Sequence, residues 1–245
     1  AGAGTGIDLD TTITTLTSAN VTGTGAIDIS NSGALTVSSA TTADGAITLA
    51  ADNGVLTLTS VTAGGTGRNV TASTTTAGNI AVGTVTTTGG VTLQATAGAI
   101  TDGNAGTNNV TASSLTAGAG TGIDLDTTIT TLTSANVTGT GSIDISDTAG
   151  GLAVTSATTA NGNITLNATS GDLAVTTVTA VGAGADVSLK TTTSGNITLG
   201  VVTAPDVVTL NAAGAITDGN AGTNNVTASS LRVGAGTGID LDTTI

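Results

Sequence analysis

Short alternations of apolar and polar residues recur along the chain at nearly fixed spacing. GIDLD at Gly6, GAIDIS at Gly25, GAITLA at Gly45, RNVTAS at Arg68 and GGVTLQ at Gly89 share one form, a turn residue followed by two apolar residues flanking a polar one. Their first apolar residues are Ile7, Ile27, Ile47, Val70 and Val91, at gaps of 20, 20, 23 and 21. A second set, Leu35, Leu56, Ile80 and Ile100, follows about ten residues behind. Period-two alternation sends Ile and Leu to one side of a strand and Asp or Thr to the other. NSG, DNG, AGN and DGN between the strands are turn signals. A strand–turn–strand–turn unit of about 20 residues, repeated in register, predicts an all-β, right-handed parallel β-solenoid (a β-helix) without helix. The expected core is Ile7, Ile27, Ile47, Val70, Leu35, Leu56, Ile80 and Ile100, repeated by Ile123, Ile143 and Ile164.

A longer period lies over the short one. AGAGTGIDLDTTITTLTSANVTGTG begins at Ala1 and returns at Ala117, and its first part returns again at Val233. TDGNAGTNNVTASSL begins at Thr101 and at Thr217. Each offset is 116 residues. The chain therefore divides into repeat unit 1 (1–116), repeat unit 2 (117–232) and the start of a third (233–245), expected to form one continuous solenoid. One residue inserted near Gly150 is offset by one deleted near Ala212. The irregular stretch between Val91 and Ile123 leaves five or six coils per unit open. A coil buries too little to stand alone, so further copies of the same repeat in a longer chain are expected above and below.

Composition sharpens this. Thr, Val, Ile, Asn, Asp and Gly dominate, the vocabulary of strands and tight turns. No aromatic residue is present, so the core must be thin. No run of about 18 apolar residues suggests a membrane-inserted segment. The net charge of −13, with Arg68, Lys190 and Arg232 as the cations, argues against nucleic acid as a partner. Without His or Cys the familiar nucleophilic and acid–base pairs cannot form, and none of the cations recurs at its repeat-equivalent position, so the expectation is not an enzyme.

GAITLAADNGVLTLTSVTA, GNIAVGTVTTTGGVTLQATAGAITDG and GNITLNATSGDLAVTTVTA resemble the repeats of filamentous-haemagglutinin-like exoproteins. These are large β-helical adhesins of bacterial surfaces, commonly exported by two-partner secretion. The resemblance implies a structural shaft of a secreted cell-surface fibre, extracellular, that projects or links modules; the near-invariance of the repeated blocks suggests either lateral self-assembly through them or recent duplication. The competing readings are a tandem of Ig-like sandwiches serving as adhesin stalk and a solenoid whose flat face binds sugar or ice. The 20-residue sub-period and the missing core aromatic weigh against the first. Against the second, Asp, Ala and Asn interrupt the Thr-x-Thr rows.

One candidate site stands out. Inward Ile and Leu in IDLD and IDIS send Asp8, Asp10 and Asp28 outward, and Asp8 and Asp28 lie one coil apart. Asp124 and Asp144 repeat the pair. Two carboxylates about 4.8 Å apart repel by roughly 1 kcal/mol in water and several times more nearer the protein. The row Asp8, Asp28, Asp124 and Asp144 is then either a calcium ladder, calcium being the one cofactor considered, or a solvated acidic stripe. GAGTGIDLD is only faintly similar to calcium-binding nonapeptide repeats. Asn-x-Thr sequons at Asn20, Asn69, Asn109, Asn136, Asn163, Asn167, Asn196 and Asn225 suggest Asn side chains stacked along the coil axis.

Overall fold

The computed structural model describes residues 1–148 and 150–245. It is an all-β parallel solenoid of about 12 coils of about 21 residues, with no helix among the described residues. Its contacts fall into two units, Ala1–Gly120 and Thr121–Ile245.

Each coil has two unlike sides. Side A is a single straight strand. In the first unit it runs through Ile7–Thr11, Ile27–Asn31, Ile47–Asn53, Val70–Ala77, Gly90–Ala95 and the end of Val110–Ala119. Ile7, Ile27, Ile47, Val70, Val91 and Leu115 form one column, each in register with the next. In the second unit Ile123, Ile143, Ile164, Val187, Val208 and Leu231 form the matching column.

Side B is not a single straight strand, because it bends in the middle. In Leu56–Ala63 the inward residues are Leu56 and Leu58, then Val61 and Ala63, with Thr59 and Ser60 both exposed between them. Two successive outward residues shift the alternation by one position and turn the strand, as a bulge does. Ile80–Thr87, Leu173–Ala180 and Ile197–Thr203 bend at the same place. The first half of side B stacks Leu35, Leu56, Ile80 and Ile100. The second half stacks Ala19, Ala40, Val61, Val85 and Val110.

All eleven expected core residues are buried, from Ile7 at 8% exposure to Ile27 at none. Buried polar residues close the corners. The Thr42 hydroxyl donates to the Gly45 carbonyl at 2.6 Å and Thr74 to Gly78 at 2.9 Å. Asn31 accepts from the Thr11 hydroxyl and the Ile13 N–H at 2.8 and 2.9 Å through Oδ1, and its amide donates to the Gly33 and Ala34 carbonyls. Asp147 takes the Asn31 position in the second unit and accepts from Thr127 and the Ile129 N–H at 2.9 Å each.

The Asn side chains do bond along the axis, in several cases to the backbone of the next coil. Asn69 Oδ1 accepts from the Gly90 N–H and Asn79 Oδ1 from the Ala99 N–H, both at 2.9 Å. Asn163 accepts from the Asp186 N–H at 2.9 Å, and Asp186 from the Val207 N–H at 3.0 Å. Asp172, Asn196 and Ala215 form a similar run. A corner amide oxygen thereby satisfies an N–H of the next coil that the ladder leaves unpaired, while Asn136 and Asn167 accept instead from the Thr158 and Thr192 hydroxyls.

Candidate functional site

The Asp rows sit where the alternation places them. Asp8 pairs in register with Asp28, and Asp124 with Asp144, on the outward face of side A in their respective units. All four are exposed. The row stops after two rungs, since Thr48 follows Asp28 and Thr165 follows Asp144. Among the described residues no three acidic side chains gather in a metal-sized group. Each pair therefore supplies two carboxylates, against the six to eight oxygens calcium normally takes.

Partial burial and the carboxylates of Asp124 and Asp126 push Asp144 above the usual carboxylate range. A raised folded-state pKa means that folding favours the protonated form. That contribution is present in acid and is lost as pH rises through the folded pKa. Asp144→Asn should therefore raise the thermal midpoint at neutral pH, by a small amount that added salt reduces. Melts over a pH series should show the gain shrinking as the parent's own carboxylate protonates. Calcium added to the same melts tests the cation reading. A rise in the parent that Asp144→Asn abolishes supports it, and no rise discards it.

A second polar cluster escaped the sequence pattern. Asp102 Oδ1 accepts from the Asn109 amide at 2.8 Å and from the Asn104 and Ala105 N–H groups. Asn109 is fully buried, and its amide also donates to the Val82 carbonyl at 2.7 Å. Asn109 and the Asn104 N–H hold the Asp102 carboxyl below its ordinary range. Asp218, Asn220 and Asn225 repeat the arrangement, with the Asn225 amide on Asp218 and on the Leu199 carbonyl. The loops they close turn through Ala105 and Ala221 at φ of 41° and 40°. The signal was present as DGNAGTNN, an Asp and an Asn seven residues apart, but it looked like an ordinary turn.

Two further surfaces are polar without charge. Thr41, Thr62, Thr86 and Thr111 form one outward row on side B behind Asn20. Thr158, Thr179, Thr203 and Thr227 do the same behind Asn136. An open hollow of about 430 Å³ lies on side B of the second unit, where Ala153, Ala174, Gly200 and Gly219 are too small to fill it. Thr176, Thr198 and Asn220 line it as well, and no titratable side chain does. Compared with protein-family models, with curated proteins and with solved structures, the chain matches none.

The cations stand apart from these features. Arg68 Nε donates to Asp44 Oδ1 at 2.6 Å on the surface. Lys190 lies in register between Asn167 and Asn211, and Arg232 beside Thr209. The loop carboxylates, Asp102 and Asp218, are held ionised by hydrogen bonds, so they serve the loop as fixed acceptors.

Proposed function

We propose that the chain is a structural shaft of a secreted fibre or adhesin on the cell surface, which projects or links modules outside the cell. The observation that carries this reading is the unbroken in-register stacking of six coils in each unit. A stack of parallel strands is stiff along its axis because every coil is hydrogen-bonded to its neighbours. The acidic surface keeps such shafts from clumping. The likeness of the repeats to filamentous-haemagglutinin-like exoproteins supplies the location and the adhesin role. The reading carries no catalytic step.

Antibodies raised against the 245-residue chain and applied to intact cells of the source organism test the location. Labelling along extracellular fibres is expected. Labelling that requires permeabilised cells overturns the proposal. The Thr rows of side B favour a second reading, a flat face for an ordered ligand such as ice. Freezing-point hysteresis from the purified chain supports that reading, and its absence leaves the shaft.

A further inference from the structure

The two sides of a coil are not interchangeable, since side A is straight and side B bent. If the 116-residue offset were a whole number of coils, each copied segment would fall on the same side every time. It does not. In the second unit Ile123–Thr127 form the first rung of side A, in register with Ile143–Asp147. The next copy of that segment lies on side B. Ile239 bridges Ile216 in the first half, and Thr243 and Thr244 pair with Val226 and Thr227 in the second half. The first unit shows the same exchange. Gly2 and Ala3 pair with Asn20 and Val21 on side B, whereas their copies Gly118 and Ala119 pair with Gln94 and Ala95 on side A.

We infer that the repeat spans five and a half coils, so that within each unit the copied segment that closes it lies half a coil round from the copy that opens it. The closed loops are the device that permits the exchange. A straight strand cannot stack on a bent side. Between Ile216 and Val226 lies a ten-residue interval, which the strand above crosses in four, from Ile239 to Thr243. The excess leaves the wall as the loop that Asp218 and Asn225 close. With Asn225 anchored to the Leu199 carbonyl, Ile216 and Val226 are brought into line beneath Ile239 and Thr243. Asp102 and Asn109, anchored to the Val82 carbonyl, are built alike in the first unit. This assigns Asp218 and Asn225 a positioning role, and it gives the identity of TDGNAGTNNVTASSL in both copies a physical reason.

The chain has no cysteine, so introduced pairs report on neighbourhood directly. In the double variant Thr217→Cys with Asp240→Cys the two residues directly follow Ile216 and Ile239 on side B, within disulfide reach. The control, Thr209→Cys with Asp240→Cys, joins the positions that a whole number of five coils would make neighbours. Under mild oxidation the first pair should lose nearly all of its free thiol and the second should keep it. Closure of the control pair overturns the inference. So does failure of the first pair in a protein whose circular dichroism matches the parent. Neither result depends on where the protein resides, so it stands apart from the antibody test.

Discussion

Leu49→Asp is expected to abolish the cooperative unfolding transition of the first unit. Leu49 is fully buried and stacked in register between Ile29 and Ala72. Its loss as an apolar group removes about 1.5–3 kcal/mol of burial. The larger effect is a carboxylate placed in a core of Val, Ile, Leu and Ala with no cation near it, which costs several kcal/mol more. Small domains have only about 5–15 kcal/mol in total. Coil stability comes from the neighbours, so the damage spreads to the coils on either side. Leu49→Ala, costing about 2–5 kcal/mol, should retain a transition at lower denaturant. Urea melts followed by far-ultraviolet circular dichroism distinguish the three proteins. A Leu49→Asp transition within a few tenths of a molar of the parent would mean that the side-A column is not the core.

Gly195→Ala should cost roughly 3 kcal/mol, far more than the same change at Gly184. Gly195 has φ of 110°, and a Cβ there would lie 1.8 Å from the Gly171 carbonyl oxygen in the coil before. Backbone oxygen cannot rotate away as a side chain can, so the coils themselves must separate. Gly184 has φ of 74° with nothing within 4 Å of the added carbon. Its substitution meets only the left-handed backbone penalty, about 1 kcal/mol. Thermal melts of the two variants should rank them clearly. Equal midpoints would mean that glycine serves the corner for its flexibility alone.

The side-A columns were legible up to Val91 and Val208 because one coil equals one sequence period and these rungs begin with Ile or Val after a turn residue; the last rungs, at Leu115 and Leu231, lack that signature. The Asp pairs were legible for the same reason. The second half of side B was not. At Thr59 and Ser60 two outward residues in a row shift the alternation, so Val61 and Ala63 fall out of phase with Leu56 and Leu58. Ala19 and Ala40 add the difficulty that a buried Ala looks like any other small residue. Thr42, Thr74 and Thr191 are buried although Thr in the strands is mostly an outward residue, since each hydroxyl reaches a corner carbonyl. The loop clusters were hidden because closing them takes Asp102 and Asn109, which are seven residues apart and meet only when the segment between them leaves the wall.

Two runs of corner hydrogen bonds also give their coils an arrow. In the runs Asn163 to Asp186 to Val207 and Asp172 to Asn196 to Ala215, the earlier coil always offers the oxygen and the later coil brings the N–H. A coil formed from the earlier part of the chain is therefore a finished template with its acceptors already in place. The later coil supplies a donor that has no purpose until that template exists. A polypeptide that appears amino end first thus meets, along these two runs, an edge prepared to receive it.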